Sequence, residues 1–211
     1  MEQPDLEFAA RAYPGLNHPP TPTNHPAFEG DGTLPKLTYR PALVEDFPAC
    51  LALDHSYQTN RVWQMRLTPG SEAIRVHFQV ARLPQNATIP YPYDAEELRK
   101  RWWEAHWFLV GEQAGEVRAY VTATLETLRP IAWVGDLAVA PRSRRQGHGS
   151  DLLAAAAAWA KGEGSAYLLT AVSLKNDPAM HFLRRNGFTF SGYNETPVQK
   201  RDIDLYFSLK L

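Results

Sequence analysis

The 211 residues carry 22 basic and 23 acidic side chains, a formal net charge of −1, so no global positive field argues for nucleic acid. The single cysteine, Cys50, excludes an intrachain disulfide and reads as a small core residue, and no Cys-x-x-Cys or His-Glu-x-x-His spacing suggests a metal. No apolar run approaches about 18 residues and no basic start precedes one, which predicts a cytoplasmic chain with no membrane partner.

Residues 1–35 hold seven of the 17 prolines and no apolar period, which predicts an extended arm ahead of a single domain over 36–211. A short strand is expected at 37–40, ended by Pro41. Asp46 reads as the N-cap of a helix with Pro48 in its first turn. Residues 74–80 alternate as a strand and suit a hairpin with 61–66. The stretch 83–93 reads as a proline-rich connector. Asp94 and Glu97 form a capping-box start for a helix to about 105, with at least one of Trp102 and Trp103 buried. Strands at 107–110 and 117–124 flank a turn at 111–116.

The most informative stretch is 131–188. An apolar strand, 131–139, ends at Pro141 and feeds Arg144, Arg145, Gln146, Gly147, His148, Gly149 and Ser150, which open an alanine-rich helix to about 161. Amides at a helix start lack intrahelical partners, and the macrodipole adds positive potential, so this loop is a ready anion site. The dinucleotide fingerprint needs three glycines and a later acid, and the Walker loop needs Gly-Lys-Ser/Thr; neither is present. A buried strand at 167–172, a helix at 177–186 and strands at 188–193 and 203–209 complete the chain.

Arg144-x-x-Gly147-x-Gly149, followed by Asn176, Ala179, Phe182, Gly187 and Phe188, resembles the acyl-CoA motifs of the GNAT N-acetyltransferases. Tyr57, Thr59, Val62, Trp63, Gln64 and Met65 are similar to the streptothricin-acetyltransferase-like branch. The resemblance covers roughly 36–211. It implies a mixed α+β fold, a central twisted mixed sheet of about seven strands with helices on both faces. It implies acetyl-CoA as co-substrate, with no metal. The backbone of Leu137, Ala138 and Val139 would bond the pantetheine, with an amide there, assigned to Ala138, polarising the thioester carbonyl. Residues Arg144 to Ser150 would hold the pyrophosphate, while Asn176 and Phe182 would contact the cofactor. Residues 54–65 would form a lid over the acceptor, with Tyr57 and Trp63 binding it.

The chain departs from the family where many relatives place a glutamate base and a tyrosine acid: Ala171 and Leu183 stand there. Asp136 and Glu126 are the replacement candidates for the base, with Asp54 and Tyr57 behind them. The side chains of His148, between the loop glycines, and His181 are expected at the surface, His148 toward solvent or phosphate. Catalysis by alignment alone is a further route. The implied activity is acetyl transfer to a primary amine of a small, antibiotic-like molecule, by a monomer or homodimer. A protein N-terminal or lysine acetyltransferase, or an acyl-CoA-binding module without turnover, are the alternatives.

Overall fold

The computed structural model describes residues 37–196 and 202–211. Residues 1–36, which include the expected proline-rich arm, and 197–201 lie outside the described residues. In chain order the elements are β1 (Thr38–Pro41), α1 (Phe47–Ala52), β2 (Tyr57–Pro69), β3 (Ile74–Ile89), α2 (Ala95–Trp103), β4 (Trp107–Gln113), β5 (Glu116–Leu125), β6 (Ile131–Val139), α3 (His148–Gly162), β7 (Tyr167–Ser173), α4 (Asp177–Arg185), β8 (Thr189–Thr196) and β9 (Asp202–Lys210). Seven strands form one mixed sheet in the order β1-β4-β5-β6-β7-β9-β8, and β2 with β3 forms a separate ribbon.

Alternation along β5 divides the interior between two sheet faces. Ala119, Val121 and Ala123 join a large core with Leu152, Ala156 and Trp159 of α3 and with Met180 and Leu183 of α4. Tyr120 points the other way, into a smaller core with Cys50 of α1 and with Leu98 and Trp102 of α2. The expected helices on both faces are therefore present. Trp159 stacks on Trp107 at 5.4 Å and anchors α3; burying one such ring contributes roughly 1.5–3 kcal/mol. Cys50 is fully buried, which pushes its thiol up to about 12 and makes it an inert core residue.

The start of α2 follows its sequence signal. Asp94 Oδ1 accepts the amides of Glu96 and Glu97, each at 2.9 Å, and Glu97 Oε2 accepts the Asp94 amide at 3.1 Å. Trp102 is buried and Trp103 half-buried.

Two expectations are corrected. The supposed connector 83–93 is largely strand, because β3 runs on to Ile89 through Pro84. The ladder steps from Thr59–Ala87 to Arg61–Arg82, so Pro84 lies inside a register shift and interrupts no paired position. Asp46 is not a side-chain cap for α1. Its carboxylate accepts Arg40 Nη1 and Nη2 at 2.6 and 2.8 Å and the Leu43 amide at 2.8 Å, and the Arg40 pairing holds it below the usual carboxylate range. Charge pairing and turn formation outcompete capping there. Among the described residues, no helix is long and apolar enough to cross a membrane.

Candidate active site

The site begins where two parallel strands part. β6 and β7 pair from Ile131 opposite Tyr167 to Val134 opposite Thr170, and no further. On its other edge β6 bulges: Ala123 faces Val134, but Val121 faces Leu137, so β6 carries one residue more than β5. An extra residue bends the strand and reverses the faces of everything after it. Ala132 and Val134 accordingly lie in the large core, whereas Ala138 lies in the small one. Without that slip Asp136 would point into the apolar large core. The bend opens a cleft of about 880 Å³ through the sheet.

The bulge also decides which amides face the cleft. The Ala140 amide donates to Arg118 O at 2.7 Å, and Asp136 N donates to Thr122 Oγ1 at 2.9 Å. By antiparallel alternation Ala138 turns its peptide groups to Tyr120, and Leu137 and Val139 turn theirs toward the space β7 has left. The Ala138 amide, the expected donor, is therefore turned toward β5.

Beside the cleft, at the start of α3, the polar groups are main chain. Arg145 has φ 61° and Gly147 φ 95°, two left-handed residues in one short stretch. The Ser150 and Asp151 amides bond Gly147 O at 2.8 and 3.1 Å. Among the described residues, the amides of 145–149 find no backbone acceptor. Gly147 tolerates its conformation for want of a Cβ. At Gly149 a Cβ would lie 3.1 Å from the Phe182 ring, so glycine lets Phe182 close against the helix start. Asn176 caps α4 through the Ala179 amide at 3.1 Å and lines the cleft with Phe182.

Two loop side chains differ from expectation. His148 is buried rather than facing solvent or phosphate; its Nδ1 lies 3.2 Å from Tyr39 Oη, which also donates to Asp151 Oδ2 at 3.0 Å. Burial and then the Asp151 contact push the Tyr39 hydroxyl well up, so it stays protonated. Arg144 directs its guanidinium inward to three carbonyls, leaving the exposed Arg145 as the loop cation without an ion-pair partner among the described residues. Gln146 Nε2 bonds Arg142 O at 2.8 Å.

In the cleft the polar groups are side chains. Asp136, 3% exposed, accepts the Tyr91 hydroxyl on Oδ1 and Arg101 Nε on Oδ2 at 3.2 Å. Arg101 also donates to Gly135 O at 3.2 Å and lies 4.4 Å over the Tyr93 ring. Burial lowers its affinity for a proton, but Asp136 and the neighbouring tyrosines outweigh that and raise it. Burial, with Asp136 adding to it, pushes the Tyr91 and Tyr120 hydroxyls well up. His55 Nε2 lies 2.8 Å from Tyr120 Oη, and burial holds this imidazole below its ordinary value. Three carboxylates, Asp136, Glu104 and Asp204, line the cleft against two cations, Arg101 and Lys175. Of the carboxylates, Glu104 has no hydrogen bond or ion pair to its side chain among the described residues.

Tyr57, Ala171 and Leu183 line the cleft. Trp63 and Glu126 do not. Trp63 Nε1 donates to Asp177 Oδ1 at 2.9 Å, and Arg184 sits 5.5 Å over its ring. Glu126 lies 3.5 Å from both Trp133 Nε1 and Arg129 Nε, outside the lining. His181 is half exposed, 3.5 Å from Asp177. The expected lid is strand β2, entered through residues 54–56. Sequence reasoning missed His55, Tyr91, Arg101, Glu104 and Tyr120. A lone aspartate in an apolar strand does signal that a buried cation must exist, but not which one.

Residues 77–188 match the acetyltransferase (GNAT) family. Streptothricin acetyltransferase of Streptomyces lavendulae is 26% identical over 166 residues, covering 76% of this chain and 86% of its own. The crystal structure of nourseothricin acetyltransferase superposes with a TM-score of 0.69 at 25% identity, covering 83% of this chain and 98% of that one. A Bacillus anthracis str. Ames protein described as a streptothricin acetyltransferase, in complex with acetyl coenzyme A, shares the fold at 18% identity with a TM-score of 0.65, covering 83% and 99% of the two chains. With the parted strands, the glycine loop and the matched segment all in one place, the chain belongs to the GNAT family of acetyltransferases.

Proposed function

We propose that this acetyltransferase moves an acetyl group from acetyl-CoA to a primary amine of a small, cationic, antibiotic-like molecule. The observation that carries the reading is the cleft at the parted β6 and β7, with a surplus carboxylate in its lining, and beside it, against Phe182, a glycine loop whose amides find no backbone acceptor among the described residues. The residues present fit acetyl-CoA. The amides of 145–149, the α3 N-terminus and the Arg145 guanidinium suit a pyrophosphate. The outward amides of Leu137 and Val139 suit the pantetheine arm, and Asn176 and Phe182 flank its path.

The free amine attacks the thioester carbon directly; the C–N bond forms, and the C–S electron pair leaves on sulfur. Leu137 or Val139 N–H stabilises the charge developing on the carbonyl oxygen. Alignment supplies much of the rate. The proton passes to solvent or to a cleft carboxylate. Ala171 and Leu183 offer no proton-handling group. Asp136 is neutralised by Arg101 and serves to hold the wall, and Glu126 sits beyond the cleft. Glu104 is the carboxylate free to receive an ammonium group beside the tyrosines, and cation–π contact with Tyr91 or Tyr93 adds to it. The streptothricin and nourseothricin acetyltransferase likeness supports an amine-rich acceptor of this kind.

The test is thiol release from acetyl-CoA with streptothricin as acceptor, and mass analysis of the product. Expected are a monoacetylated product and, in Glu104→Gln, an acceptor KM raised about tenfold, the loss of one charge-assisted contact, with acetyl-CoA affinity unchanged. Turnover only on peptide N-termini or lysines would contradict the reading, as would acetyl-CoA binding with no turnover on any amine.

A further inference from the structure

Arg144 begins the glycine loop, yet its side chain does not face the anion site. Nε donates to Val139 O at 2.8 Å, Nη1 to Ser56 O at 2.9 Å and Nη2 to Asp54 O at 2.5 Å. Three carbonyls from two distant segments thus converge on one planar fork. Val139 ends β6, two residues beyond Leu137, which lines the cleft. Residues 54 and 56 bracket His55, whose ring lies 5.1 Å from Tyr91 and bonds Tyr120, and they lead directly into Tyr57. His55, Tyr57 and Tyr91 all line the cleft. Within the segment Ser56 N bonds the Asp54 side chain at 2.8 Å, and Tyr57 pairs with Ile89 at the start of β2.

We propose that Arg144 is a positioning residue, a strut that fixes the amine-side wall at 54–57 to the acetyl-CoA loop, so that seating a pyrophosphate in the loop stiffens the wall. The proposal rests on the reading of the cleft as an acetyl-CoA and amine site. The guanidinium is committed to main-chain oxygens, and the exposed Arg145 next to it supplies the charge that a phosphate meets. Anything that orders the loop holds the root of Arg144 still, and through the fork it restrains both carbonyls around His55. The wall then loses freedom before the amine arrives, which makes acceptor binding more favourable; this is coupling through ordering. Lysine has a single ammonium on a flexible stem and does not replace a fork spanning three carbonyls.

Amide hydrogen exchange with and without CoA tests this on the full chain, comparing wild type, Arg144→Lys and Arg144→Ala. In the wild type CoA is expected to slow exchange at 145–149 and also at 54–57. In both variants exchange at 54–57 rises at least tenfold without ligand, and CoA protects the loop but no longer the wall. Loop protection without wall protection in the wild type overturns the inference and leaves the functional reading standing. So does wall protection that persists in the variants. Absence of any loop protection in the wild type removes the functional reading itself, and the strut with it. A loss of CoA affinity in the variants, with affinity for phosphate-free acetyl-pantetheine unchanged, would make Arg144 a phosphate ligand and overturn the strut.

Discussion

The α3 loop and the cleft beside it are made of different material. At the α3 end the groups offered are peptide amides, set by φ values of 61° and 95° and by a helix start, all within residues 144–150. In the cleft they are side chains, His55, Tyr91, Arg101, Glu104, Tyr120 and Asp136, drawn from five places along the chain. A main-chain site tolerates changes in side chains, because the amides remain. A side-chain network does not, because removing one buried partner strands the rest. The first kind suits a substrate common to a family; the second is free to vary with the acceptor.

The sharpest way to break the contrast is at Asp136. Asp136→Ala leaves the Arg101 guanidinium and the Tyr91 hydroxyl without their shared partner, and a loss of about 3 kcal/mol is expected in urea unfolding. Asp136→Asn keeps an acceptor for Tyr91 and should lose less. Equal, negligible losses in both would mean that the network is not what holds this end together.

Trp63 lies outside both regions, so Trp63→Phe should lower stability by about 1.5 kcal/mol, the loss of a hydrogen bond to a buried carboxylate. Its acceptor KM should stay at the wild-type value. A raised KM at unchanged stability would return Trp63 to the substrate site.

A smaller effect is expected from His55. Burial holds its imidazole below the ordinary value, so the unfolded chain takes up a proton that the folded chain refuses. The stability tied to this difference is complete above about pH 6.5 and is lost as pH falls below it. His55→Gln should keep the bond to Tyr120 and flatten that part of the unfolding profile. A wild-type profile no steeper than the variant's over that range would contradict the buried, neutral imidazole.

The same division explains what could be read from the sequence. The α3 end was legible because its determinants are local: Gly147, Gly149 and the strand and helix beside them form one contiguous pattern. Helix α2 was legible through Asp94 and Glu97. The amine end was not, because its logic is a one-residue slip. The bulge at Gly135 and Asp136 turns Asp136 away from the apolar core, and also turns the Ala138 amide away from the cleft. Gly135 within the apolar run 131–139 is a signal for a bulge, but it does not say which partner the displaced Asp136 meets. Tyr91 was hidden in a stretch whose prolines suggested a connector, and His148 is held inside by Tyr39, more than a hundred residues earlier.

The central claim is that the loop at the α3 end binds acetyl-CoA through its backbone. Calorimetric titration of acetyl-CoA into wild type and Gly147→Glu tests it directly. The substitution sets a side chain on a left-handed residue, a strain of about 1–2 kcal/mol, and adds a carboxylate facing the pyrophosphate. Urea unfolding of the variant verifies that it is folded. The account predicts micromolar binding by the wild type and a loss of at least a hundredfold in the folded variant. Wild-type affinity in a folded Gly147→Glu, or no binding by the wild type, would contradict it.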